Sequence, residues 1–124
     1  ELRNELGLLV EDLDQVRDAD RIERERMVSR LKEGGFIHED DPSEEELVLA
    51  MHAYLAASPA LLLAVSLVDV VGEKLPQNLP GTNAEYPNWC VPLHAFNGKE
   101  VLIDDMAHCD RVKRFLTNVD CYIR

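Results

Sequence analysis

Residues 58–89 read SPALLLAVSLVDVVGEKLPQNLPGTNAEYPNW, and a change of character inside this stretch organises the whole chain. Its apolar first part continues a run from Leu47 to Val68 that carries no charged side chain over 22 positions. A run of that length raises the question of a membrane span. His52, Ser58 and Pro59 interrupt it, and Ser58-Pro59 breaks a helix because the residue before proline is driven out of the α region. Two soluble elements read better: a buried helix ending near Ser58, then a buried strand or second helix over Leu61–Val71. The remainder, Glu73–Asn88, holds Pro76, Pro80, Gly81 and Pro87 among several asparagines. It is expected as a long irregular loop, a feature that is functional or disordered when it occurs in a compact domain.

Upstream the pattern is helical. Asp41-Pro42-Ser43-Glu44 suits Asp41 as N-cap, Pro42 at the first helical position and Glu44 closing a capping box, with Ser43 and Glu46 as the alternative frame. That helix carries Leu47, Met51, Tyr54 and Leu55 on one face. Asp20 is placed to cap a helix over Arg21–Glu33 with Met27, Val28 and Leu31 inward, stopped by Gly34-Gly35. Residues 1–17 read as a further helix with Leu6, Leu9, Val10, Leu13 and Val16 apolar, although Gly7 is a poor helix former. Downstream, Asn97-Gly98 between VPLHAF and KEVLI predicts a two-residue hairpin turn, in which both residues take positive φ. A last helix is expected from a cap at Asp104 or Asp105 to Asn118, with Val112, Phe115, Leu116 and Val119 inward.

The 124 residues suffice for one core. Thirteen basic residues against 24 acidic ones give a net charge of −11, which speaks against nucleic acid or an anionic membrane as partner. The acid is concentrated in residues 1–46, with 16 acids to 7 bases, as expected of solvated helix surface. Three cysteines, Cys90, Cys109 and Cys121, do not pair off within one chain, and a reducing cytoplasm fits them. No signal peptide is seen, and the opening at Glu1 rather than Met suggests a piece of something longer.

The motifs Asn78-Leu79-Pro80-Gly81-Thr82 and Tyr86-Pro87-Asn88-Trp89, preceded by a Ser-Pro-apolar segment ending in Asp69, resemble the C-terminal region of amylomaltase-type 4-α-glucanotransferases, the disproportionating enzymes. Many members continue after the tryptophan with a basic Arg-Arg-Lys run, where this chain has Cys90-Val91-Pro92-Leu93. The resemblance implies that the chain is the C-terminal fragment of a (β/α)₈ barrel. As an isolated piece it is expected to be mainly α with one β-hairpin. A single unit, 1–124, then divides into helices over 1–58, the last barrel strand and substrate-side loop over 59–89, and the hairpin and final helix over 90–124. Barrel chemistry sits on loops at the C-terminal ends of strands, so the loop would face sugar. The family transfers α-1,4-glucan segments between maltooligosaccharides with retention and without cofactor or metal. It uses an Asp nucleophile, a Glu acid and a supporting Asp, and retention requires two carboxyls about 5 Å apart. Those acids precede the region matched here, and none is carried over.

Residue chemistry fits the loop to that placement. Leu79-Pro80-Gly81-Thr82 suits a type II turn, with Pro80 setting φ at the second position and Gly81 accepting positive φ at the third. The turn presents the amide of Asn78 and the hydroxyl of Thr82, and Trp89 offers an aromatic face for the apolar side of glucose. Asn78, Thr82 and Trp89 are therefore the candidate substrate contacts, and Asp69, Pro80 and Gly81 shape the loop. The bland alternative is a surface loop in which Tyr86 and Trp89 cover the core.

Other constellations are weaker. Cys90, His94, His108, Cys109 and Cys121 lack zinc-ligand spacing. Asp12, Asp14, Asp18 and Asp20 alternate without the Gly and Glu of a calcium loop. Asp104-Asp105 suits capping and His52 suits a packed core. A competing functional reading is a freestanding acidic helical module that binds a partner protein. An unpaired apolar segment at Leu61–Val68 is expected to drive self-association or to become helix.

Overall fold

The computed structural model describes residues 1–123, among which six helices follow one another: α1 (Leu2–Glu5), α2 (Leu13–Glu33), α3 (Glu44–Ala56), α4 (Leu67–Val71), α5 (Ile103–Met106) and α6 (Asp110–Asp120). The local start signals decide where the longer ones begin. Of the two frames at residues 41–46 the second is used: Ser43 Oγ accepts from the Glu46 N–H (3.3 Å) and the Glu46 carboxylate accepts from the Ser43 N–H (2.8 Å). Helix α2 starts earlier than predicted, because the Asp12 carboxylate accepts from the N–H groups of Asp14 and Gln15 and makes Asp12, not Asp20, the cap. Residues 1–17 are accordingly not one helix. Leu2–Glu5 makes a single turn, and α2 begins only at Leu13.

The main core lies where α3 and α4 pack on α6. Val70, Val71, Val112, Phe115 and Val119 are buried there. Phe115 and Val71 are each 1% exposed, a burial that stabilises by roughly 1.5–3 kcal/mol per side chain. His52 packs into the same layer, its ring edge-on to Phe115 at 4.7 Å, and donates from Nδ1 to the Val48 carbonyl at 2.8 Å. It is a satisfied core histidine. A second cluster, Val28, Leu31, Ile37 and Ala50, joins the end of α2 to α3. Only Val28 and Leu31 of α2 are buried. Met27 packs beside them, and the outer face of that helix is solvated and laced with pairs such as Arg21–Glu25, each worth little at such exposure.

Three expectations are corrected. The β-hairpin is not formed, and the fold is helical with, among the described residues, a single isolated antiparallel bridge, His94 to Glu100. Only Gly98 of the Asn97-Gly98 pair has positive φ (+78°), so the reversal is the wider turn closed by Gly98 N–H to Ala95 C=O (2.8 Å), not the two-residue turn. Its arms meet at Ala95–Lys99 and Leu93–Val101 before α5 takes over at Ile103. Leu61–Val68 is neither a strand nor a helix throughout: the chain is irregular up to Ser66 and helical only from Leu67. Leu61 and Leu62 are 98% and 91% exposed, since no neighbouring segment covers them among the described residues. The last helix begins after Cys109, with Asp104 and Asp105 inside the separate short α5, and Leu116 is on its exposed side.

Candidate functional site

Between α4 and the His94 bridge the chain has no helix or strand, and its order comes from side chains bonding to backbone. The turn at Leu79–Thr82 has the form its residues dictate. Thr82 N–H donates to Leu79 C=O at 3.2 Å, with Gly81 at φ +94° behind Pro80. The Thr82 hydroxyl donates to the same carbonyl at 2.7 Å. Asn88 completes the assembly. Its Oδ1 accepts from Leu79 N–H (2.7 Å), and its Nδ2 donates to Thr82 Oγ1 (2.9 Å) and to Thr82 C=O (3.3 Å). Tyr86 is buried, and its hydroxyl donates to the Pro76 carbonyl. Beneath the loop, Leu79, Tyr86 and Val91 form a third apolar cluster covered by Leu2, Leu6 and Leu8.

The three candidate contacts are placed differently. Asn78 is exposed, and its carboxamide makes no hydrogen bond among the described residues. Thr82 is half-buried with its hydroxyl proton and one lone pair engaged, leaving one lone pair. Trp89 is 75% exposed, so it does not serve as a lid on the core. It is also the one non-glycine among the described residues with positive φ (+62°), held there as its N–H donates to Gln77 C=O at 2.7 Å. A bulky residue in that region is strained, and such strain clusters at functional sites. Tyr86 is the aromatic that covers the core, and Trp89 is the one held out of it.

Asp69 lies apart from this assembly. Its carboxylate stands 3.7 Å from His52 Nε2 and lines an open cleft of roughly 310 Å³ with Glu44, Lys74, Phe96 and Arg111. Arg111 ties α4 to α6 by donating to the carbonyls of Val70 (3.1 Å) and Asp69 (3.3 Å). Glu73, which no local pattern marks, closes the loop at its base. Its carboxylate accepts from Leu75 N–H (2.8 Å), His94 N–H (2.7 Å) and His94 Nδ1 (2.9 Å), joining the two ends of the irregular segment. Burial works against its charged form, but the hydrogen bonds from the Leu75 backbone and from the His94 ring and backbone outweigh it and hold the carboxyl below its ordinary value. The side chain of Asn88 is likewise unmarked, although it stands inside the quoted motif. Among the described residues no three His, Cys, Asp or Glu side chains converge as metal ligands, and no helix is long and apolar enough to cross a membrane.

The profile of the 4-alpha-glucanotransferase family matches residues 11–97, so the likeness runs through α2 and α3 as well as the loop. The 4-alpha-glucanotransferases of Mycobacterium tuberculosis H37Rv and Mycobacterium bovis are each 41% identical over 106 residues, which is 85% of this chain and 15% of theirs. That of Haemophilus influenzae is 33% identical over 101 residues, 75% of this chain and 14% of its own length. No solved structure matches. With well over half its residues inside the family match and its loop motif ordered as a unit, the chain belongs to the 4-alpha-glucanotransferase family.

Proposed function

We infer that this chain is the C-terminal part of a cytoplasmic enzyme that transfers α-1,4-glucan segments between maltooligosaccharides by a retaining mechanism, and that its catalytic acids lie in the portion of the protein outside these residues. The observation that carries the reading is the 41% identity to glucanotransferases of which the chain spans only 15%. Within the chain, Asn78 and Trp89 offer a free amide and an outward indole to a sugar. Thr82 lies at the base of the turn with its remaining lone pair for a hydroxyl, Pro80 and Gly81 shape that turn, and Asp69 lines the separate cleft beside α4. The apolar Leu61–Val65 segment, with Leu61 and Leu62 exposed, suits the last strand of a (β/α)₈ barrel whose neighbours are missing, and in isolation it favours self-association. Free Cys90, Cys109 and Cys121 suit a reducing compartment.

Retention needs a nucleophile and an acid across one bond, and the carboxylates that share the Asp69 cleft are committed elsewhere, Glu44 to Lys74, Glu45 to Arg111 and Glu73 to the Leu75 and His94 N–H groups. The purified 124-residue chain should therefore leave maltotriose unchanged. The complete protein should convert it to glucose and longer oligomers, read by chromatography. Sustained turnover by the chain alone, or none by the complete protein, would overturn the assignment.

A further inference from the structure

We propose that Asn88 is the positioning residue of the loop, setting the placement of Asn78 and Trp89 without itself touching sugar. The inference rests on the reading above that the loop faces glucan. Two hydrogen bonds bracket Asn78. On one side Gln77 C=O accepts from Trp89 N–H at 2.7 Å, and on the other Leu79 N–H donates to Asn88 Oδ1 at 2.7 Å. The dipeptide Asn88-Trp89 thus acts as a splint along residues 77–79, and the residue between the two clamps is the one whose side chain stays unbonded. The far end of the carboxamide is committed as well, since Nδ2 donates to both Thr82 Oγ1 and Thr82 C=O. No N–H of Asn88 is left over for a ligand, because its backbone N–H donates to Tyr86 C=O at 2.8 Å.

The side chain is matched to this task by its length and by its two kinds of atom. An acceptor must meet Leu79 N–H while a donor meets the two Thr82 oxygens, and a carboxamide supplies an acceptor oxygen and a nitrogen with two hydrogens in one short planar group. Asp at this position retains the acceptor but turns a negative oxygen toward the Thr82 oxygens. Gln retains both atoms one methylene farther out. Trp89 gains most from the splint, since its positive φ is costly and persists only where surrounding bonds over-determine it.

A double-mutant cycle in the complete glucanotransferase tests this, with kcat and KM measured for maltotriose disproportionation. Asn78→Ala and Asn88→Ala should each lower kcat/KM by about tenfold, and the double variant should fall within about twofold of either alone, because residues acting as one unit are not additive. Asn88→Gln and Asn88→Asp should fail to rescue. Losses that multiply to about a hundredfold would show Asn88 acting independently of Asn78 and would overturn the proposal. So would full activity of Asn88→Ala beside an impaired Asn78→Ala, which would leave the loop's substrate role standing. An inert Asn78→Ala would sink that role and this proposal together. Should Asn88→Ala fold poorly in the complete enzyme, the 124-residue chain supplies a second readout. Trp89 is its only tryptophan, and its fluorescence anisotropy should drop in Asn88→Asp at unchanged helical circular dichroism. Unchanged anisotropy would refute the splint.

Discussion

Replacing Trp89 by glycine and by alanine should reverse the order that side-chain size dictates. Trp89 is 75% exposed at φ +62°, so about a quarter of its surface is buried. For a side chain of roughly 200 Å² that is about 50 Å², worth roughly 1.2 kcal/mol at 25 cal/mol per Å². Both substitutions lose that contact. They differ at the backbone, where a side chain in the left-handed region costs roughly 1–2 kcal/mol and glycine escapes it. Against this, glycine gives up about 0.4–1 kcal/mol more chain entropy on folding. The balance leaves Trp89→Gly roughly 0.5–1 kcal/mol more stable than Trp89→Ala, and close to the parent chain. Urea unfolding of the 124-residue chain, followed by circular dichroism at the helical minimum, measures the difference directly. In the complete enzyme Trp89→Gly should still lose transfer activity, because the indole is gone. A Trp89→Ala chain as stable as Trp89→Gly would mean that the positive φ is not a feature of the folded loop, and the argument that strain holds the indole outward would fall with it.

The Glu73 carboxyl is held below its ordinary value of 4.5, so the folded chain binds this proton less readily than the unfolded one. Its contribution is complete above the ordinary value and is lost as pH falls from about 4.5 through the lower folded value. Glu73→Gln should flatten acid unfolding in that window, and an unchanged acid limb would refute the assignment. Leu61→Lys with Leu62→Glu should reduce self-association of the isolated chain in light scattering without loss of helix, since both side chains are almost fully exposed. Association that persists unaltered would place the contact elsewhere.

Several interactions spanning a few residues were legible from the order of residues alone, although the cap at Asp12, which reaches only Asp14 and Gln15, was not. Ser43 with Glu46, the stop of α2 before Gly34-Gly35, the Leu79–Thr82 turn and the inward residues Val112, Phe115 and Val119 all follow from side chains reaching backbone or one another within one turn. So was the family, because the Asn-Leu-Pro-Gly-Thr and Tyr-Pro-Asn-Trp motifs are contiguous. The structure decided the pairings across long separations. Asn88 reaches Leu79 over 9 residues, Glu73 reaches His94 over 21, and Arg111 reaches Val70 over 41. No local pattern marks such partners, since loop closure leaves a side chain free to meet many backbone groups until the core is packed. The same reason covers two of the errors. Asn97-Gly98 favours a tight hairpin locally, but only one bridge forms where the arms lie beside no third strand and one of them turns into α5. Leu61–Val65 is written as apolar as any buried strand, yet it forms no strand pairing and only Leu63 and Val65 reach the core, because burial of Leu61 and Leu62 requires a partner that local sequence does not supply.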